Sequence, residues 1–131
     1  MTSILVAEGN SDLRTLLRIR LQRSGFECIQ ASTGLEVIEI LDLQNVDLIL
    51  MDMNMPELDG WQTTKAIRSN PAHEKLPIIG LTANSMPGDR LRAKVAGCNA
   101  FHSEPVEFEQ LMKDVRRLLM PEGPVINALL A

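Results

Sequence analysis

Apolar residues along this chain change period in a regular way. Ile4-Leu5-Val6-Ala7 is a short continuous apolar run closed by Glu8, the pattern of a strand buried on both faces. Leu13, Leu16, Leu17 and Leu21 then fall at helical spacing behind a cap at Asn10 or Ser11, and Gly25 ends that helix. Phe26 to Ala31 predicts a second strand. Thr33-Gly34-Leu35-Glu36 has the capping-box pattern and opens a helix that buries Val37, Ile38 and Leu41. Val46 to Met51 is the most apolar strand, broken only by Asp47 and ending at Asp52. A turn follows, and Asp59 then caps a helix from about Gly60 to Arg68.

The second half repeats the alternation. Asn70 to Leu76 is a polar loop, and Pro77 to Leu81 is a fourth strand ending at Thr82. Pro87 suits the first turn of a helix that buries Leu91 and Val95 and stops at Gly97. Asn99 to Ser103 is a short fifth strand, broken by Glu104-Pro105. Phe108, Leu111, Met112, Val115, Leu118 and Leu119 form the clearest amphipathic stripe, which Pro121 ends. Residues 1–120 read as one domain and 121–131 as a C-terminal tail. Apolar strands in strict alternation with helices imply a parallel sheet covered on both faces. Right-handed crossovers make that a doubly wound, three-layer α/β/α sandwich. Such folds bind at the carboxyl ends of their strands, which directs attention to Glu8, Asp52, Thr82 and Glu104.

Composition narrows the function classes. Hydrophobic residues make up 45% of the 131, enough for a packed core, and aromatics only 3%, so that core is aliphatic. A net charge of −4 with no basic run argues against a nucleic-acid surface or an anionic membrane partner. No apolar run is long enough to span a bilayer, and the N-terminus leads into a strand without a signal-peptide pattern, so a cytoplasmic location is expected. Cys28 and Cys98 lack metal-type spacing and read as reduced, core-filling residues. His102, near Glu104, reads as structural, and Trp61 as a half-buried packing residue.

The strand ends carry the chemistry. Asp52 follows a very apolar strand, and a carboxylate there beside Glu8 and Glu104 has a raised pKa unless a cation neutralises the group. Clustered carboxylates suit a hard divalent ion such as Mg²⁺, which also screens the approach of a phosphoryl group to a carboxylate nucleophile. Thr82, across the rim, can donate its hydroxyl to a phosphoryl oxygen.

The segment Asp52-Met53-Asn54-Met55-Pro56-Glu57-Leu58-Asp59-Gly60 strongly resembles the phosphoacceptor loop of bacterial response-regulator receiver domains. Ile4 to Glu8, Leu81-Thr82-Ala83 and Phe101 to Pro105 are similar to that family too, so the resemblance runs over about residues 3–120. It implies a flavodoxin-like sheet of order 2-1-3-4-5 with five helices. Asp52 matches the aspartate phosphorylated by a histidine kinase or phosphotransfer protein. Glu8 and Asp52 match metal ligands, and Asn54 matches the position whose backbone carbonyl joins them. Thr82 matches the hydroxyl that follows the phosphoryl group, Phe101 the aromatic switch, and Pro105 the proline after a cis peptide bond. The resemblance further implies a downstream partner at the face made by the fourth helix, fifth strand and fifth helix. The length and the Asn84 to Gly88 segment look most like single-domain regulators, monomeric or weakly dimeric.

Two positions depart from the family pattern. Gly9 stands where the second of two adjacent acids is usual, and Glu104 replaces the usual lysine. Residue counting takes the pocket charge from about −2 to about −3 before any metal, and a phosphoryl group adds nearly two more negative charges. Two readings follow. Either the domain signals by binding partners without phosphate, as a pseudo-receiver, or Glu104 takes over as a metal ligand. No enzyme is expected. A flavodoxin-type carrier would have a phosphate loop where Glu8-Gly9-Asn10 stand, and an aspartyl phosphatase a second acid where Asn54 stands. No helix-turn-helix unit remains for DNA once the elements are assigned.

Overall fold

A computed structural model describes residues 1–83 and 85–120 of the chain. The tail read over 121–131 and the Asn84 end of the loop before the fourth helix lie outside the described residues. The elements run β1 (Ser3–Ala7), α1 (Ser11–Arg23), β2 (Glu27–Ala31), α2 (Gly34–Leu43), β3 (Leu48–Asp52), α3 (Gly60–Arg68), β4 (Ile78–Thr82), α4 (Asp89–Ala96), β5 (Ala100–Ser103) and α5 (Phe108–Leu119), with a short 3₁₀ turn at Pro71–His73. The five strands are parallel and ordered β2-β1-β3-β4-β5, as the strand-helix alternation and the family resemblance together required.

The buried apolar strand residues divide between two cores. Leu5, Ala7, Ile49, Met51, Ile78 and Phe101 face one layer, packed with residues of α2, α3 and α4. Ile4, Val6, Leu48, Leu50, Ile79 and Leu81 face the other, beneath α1 and α5. The three inner strands β1, β3 and β4 are buried at every position. That explains why they read as unbroken apolar runs rather than as alternating ones.

Local signals mostly act where the sequence placed them. Asn10 caps α1 by accepting from the Leu13 amide. Gly25 and Gly97, with φ of 92° and 118°, take the left-handed conformation just past α1 and α4. At α2, Thr33 accepts from the Glu36 amide, but the Glu36 carboxylate receives the Ser32 hydroxyl at 2.6 Å instead of closing a box. The complete capping box belongs to α3, between Asp59 and Gln62.

The fourth helix departs most from expectation. It starts at Asp89 behind Gly88, so Pro87 precedes the cap rather than occupying the first turn. Its buried residues are Ala93 and Ala96, while Leu91 and Val95 are 67% and 77% exposed. Ala93 and Ala96 are the α4 residues that face the layer holding Trp61 and Phe101, which leaves Leu91 and Val95 on the outer side of the helix. Leu16, predicted on the buried stripe of α1, is also half exposed. None of the described helices is long and apolar enough to cross a membrane.

Candidate functional site

Parallel pairing brings the carboxyl ends of β1, β3, β4 and β5 to one rim, and so brings together Glu8, Asp52, Thr82 and Glu104. Asp52 is the last residue of β3 and is 7% exposed. Both carboxylate oxygens are held by backbone. The Asn54 amide donates to Oδ1 at 2.9 Å, and the Gly9 amide donates to Oδ2 at 3.3 Å. The first is an Asx turn, which the Asp-x-Asn spacing signals in the sequence. The second joins β1 to β3, and nothing local in the sequence signals it.

The corner after Asp52 depends on close backbone approach. A Cβ on Gly60 would run into the backbone of Asp52 and Met53. Only glycine lets the start of α3 lie against the end of β3. Within the loop Glu57 has a φ of 66°, a left-handed conformation uncommon for a residue with a side chain.

Glu8 is 3% exposed, and its Oε2 accepts from the Asn10 amide at 3.0 Å. Its Oε1 is buried without a hydrogen-bond partner. Burial first, then the Asp52 carboxyl within hydrogen-bonding reach and the charges of Asp52 and Glu104, push Glu8 up to about 8. Two ionised carboxylates in contact have no hydrogen to share, so the pair holds either a proton or a cation. Glu104 is raised too, by burial and then by the Asp52 charge. Its amide donates to the Thr82 carbonyl at 2.7 Å, and its peptide bond to Pro105 is cis, as the resemblance implied. Thr82 is 1% exposed and donates its hydroxyl to Asn54 Oδ1 at 3.0 Å. The Asn54 side chain therefore latches the hydroxyl residue to the acceptor loop, a role sequence reasoning missed.

Gly9 lies at the pocket. A Cβ there would stand 3.7 Å from Asp52 Oδ2 and 3.3 Å from Pro56 Cδ. Its backbone is not left-handed, so glycine is not required there for conformation. Among the described residues, no three His, Cys, Asp or Glu side chains are already arranged as a metal cage. Glu8 and Asp52 nonetheless suit a hard divalent ion, because the ion would partner the orphaned Glu8 oxygen and neutralise the pair.

The aromatic residues form a second cluster. Phe101 is turned inward and 5% exposed, with its ring 6.1 Å from that of Trp61. Trp61 is 7% exposed, more buried than expected, because the Arg92 guanidinium covers its other side at 4.0 Å from the ring centre. His102 is structural, paired with Asp114 at 2.7 Å. Cys98 is buried and Cys28 half-buried, and both are free thiols raised by burial, Cys28 to about 11.

The profile of the response regulator receiver domain matches residues 4–116. The chain belongs to that family. The receiver domain is 32% identical over 117 residues to the polar-differentiation response regulator DivK of Brucella ovis, covering 89% of this chain and 95% of DivK. It is 38% identical over 114 residues to the CAI-1 autoinducer sensor kinase/phosphatase CqsS of Vibrio cholerae, covering 86% of this chain but only 16% of CqsS. Among solved structures, it superposes with a TM-score of 0.83 on the receiver domain of a sensor histidine kinase from Pseudomonas aeruginosa PAO1. That domain is 31% identical, the match covers 90% of this chain and 97% of that one, and its structure has a magnesium ion coordinated in the active-site cleft. The receiver domain is thus a module of two-component signalling.

Proposed function

We propose that this receiver domain is a signalling switch rather than an enzyme, with Asp52 as its phosphoacceptor and a divalent ion as the condition for phosphorylation. The observation that carries the reading is the fixing of Asp52 at the end of β3, by amides from both sides and next to Glu8. A nucleophile needs to be aimed before it is activated, and here two backbone donors set the carboxylate plane. Those neutral donors stabilise the Asp52 carboxylate without cancelling the formal charge that it and Glu8 carry when ionised. Mg²⁺ held by Glu8, Asp52 and the Asn54 carbonyl would offset that charge and draw the phosphoryl oxygens toward Asp52. The attacking Asp52 oxygen would form the acyl phosphate bond as the donor's phosphorus bond breaks, the donor being a histidine kinase or phosphotransfer protein.

The output runs through protein contacts. Thr82 is latched to Asn54, so a phosphoryl group at Asp52 competes for its hydroxyl. Phe101, at the aromatic switch position on the neighbouring strand, is already turned inward and 5% exposed. Leu91 and Val95 are exposed one turn apart on α4, which supports a downstream partner at the face of α4, β5 and α5.

A second reading is favoured by Gly9 and Glu104: a pseudo-receiver that binds partners without phosphate. Glu104 puts a carboxylate where the family's ammonium would meet the phosphoryl oxygens, and losing one charge-assisted contact costs ~2 kcal/mol or more. Incubation with acetyl phosphate and Mg²⁺, read by intact mass, separates the two. Added phosphoryl mass in the wild type and none in Asp52→Asn is the expected result. An unlabelled wild type, under conditions that label an ordinary receiver, establishes the pseudo-receiver.

A further inference from the structure

Glu104 is more than a missing lysine. Its main chain is anchored at the rim by the Thr82 carbonyl. Its carboxylate has no hydrogen-bond or ion-pair partner among the described residues. It is half-buried, its charge acts on Glu8, and the Asp52 charge acts on it. On its other side it borders a groove of about 260 Å³ with Leu13, Leu16, Arg20 and Phe108, so the side chain has room to swing.

We propose that Glu104 is a ligand of the divalent ion, replacing from the segment after β5 the carboxylate that Gly9 lacks in the segment after β1. The inference rests on the reading of this rim as a metal site. Two independent features point to it. The buried Glu8 Oε1 has no partner and lies in a pair with Asp52 that only a proton or a cation can satisfy. A Cβ at position 9 would stand 3.7 Å from Asp52 Oδ2, so glycine leaves that oxygen without a neighbouring side chain from β1's end. A hard ion prefers to fill its coordination shell with oxygens, and charged ones raise affinity. Glutamate carries one more methylene than aspartate, which suits a ligand reaching in from a neighbouring strand end. The Arg14 guanidinium is taken up by the Glu8 main-chain carbonyl at 2.7 Å, and with three carboxylates and no ammonium the ion would be held more tightly than in a pocket that keeps its lysine.

Calorimetric titration with Mn²⁺ and with Mg²⁺ tests this, on protein whose melting temperature in chelator shows it to be folded. The wild type is expected to bind one ion. Glu104→Gln should weaken binding by about tenfold or more, the scale on which loss of a supporting ligand acts. Glu104→Asp keeps the charge but shortens the reach, and should weaken binding as well. If Glu104→Gln does not fold, Glu104→Asp carries the comparison. Adding Gly9→Asp to Glu104→Gln should recover the lost affinity. Glu104→Gln binding within about twofold of the wild type overturns the role of Glu104 and leaves the metal site standing. Glu104→Asp binding like the wild type while Glu104→Gln is weaker overturns ligation in favour of charge acting through space. No heat from the wild type at millimolar metal overturns both this inference and the metal reading beneath it.

Discussion

The corner from Asp52 to Gly60 and the two flanks of the pocket, Gly9 and Glu104, sit on one rim but are held in different ways. The corner is held by backbone. Two amides fix Asp52, Gly60 lies against the Asp52 carbonyl, and Asn54 ties the loop to Thr82. The flanks contribute through what their side chains carry or lack, and neither is required by the fold around it. Gly9 is not left-handed, and the Glu104 carboxylate has no hydrogen-bond or ion-pair partner among the described residues. The difference shows how a receiver scaffold can keep its acceptor geometry while its charge balance changes. Geometry is secured by many backbone contacts, whereas charge balance here turns on two side chains.

Restoring the flanks should produce the largest effect. The double substitution Gly9→Asp with Glu104→Lys is expected to speed labelling by acetyl phosphate on the order of 100-fold, which asks the metal ligand and the ammonium together for about 2.7 kcal/mol. Time courses by intact mass check this, and an unchanged rate would show that the corner, not the flanks, limits the chemistry. Breaking the corner comes next. Gly60→Ala should destabilise the domain by about 2 kcal/mol, since its methyl group meets main chain that cannot move aside. Urea unfolding measures that cost, whereas Gly9→Ala, whose Cβ would come no closer than 3.3 Å to any atom outside its chain neighbours, should cost much less.

The charge on the rim also predicts a pH dependence. Glu8 lies at about 8 when folded, against 4.5 for the free side chain. The folded state therefore binds the extra proton. Its stability advantage is complete below 4.5 and is lost as pH rises from there through about 8. Thermal melts of the metal-free protein should fall across that window, and Glu8→Gln or saturating Mg²⁺ should flatten the curve. A melt independent of pH there would mean that the Glu8–Asp52 pair is not buried as described. The smallest effect belongs to the aromatic cluster away from the rim. Arg92→Ala should cost ~0.5 kcal/mol and shift the Trp61 emission to longer wavelength, with the labelling rate at Asp52 unchanged.

Legibility in the sequence followed the range of the physics involved. The inner strands were readable because burial on both faces makes each position apolar, so Ile4 to Ala7 and Leu48 to Met51 could hardly be anything else. Caps at Asn10 and Asp59 were readable because a side chain bonds its own helix within a few residues. The inward face of α4 was not. Leu91 and Val95 looked like core, yet Ala93 and Ala96 face the layer that holds Trp61 and Phe101, which arrive from α3 and β5. Periodicity identifies a stripe on a helix, but not which side of the helix the opposing layer takes.

The same division holds at Asp52. The sequence alone determined that an acid closes the most apolar strand, that a turn and a capped helix follow it, and that Gly9 and Glu104 break the pattern around it. Those are local facts of residue type and spacing. Only the tertiary structure decided that the Gly9 amide holds Asp52, that Asn54 takes the Thr82 hydroxyl, and that Glu8 is left with a buried oxygen lacking a partner. Each of these joins strands or loops that are distant along the chain. Burial and electrostatics depend on distance in space, which one-dimensional spacing does not record.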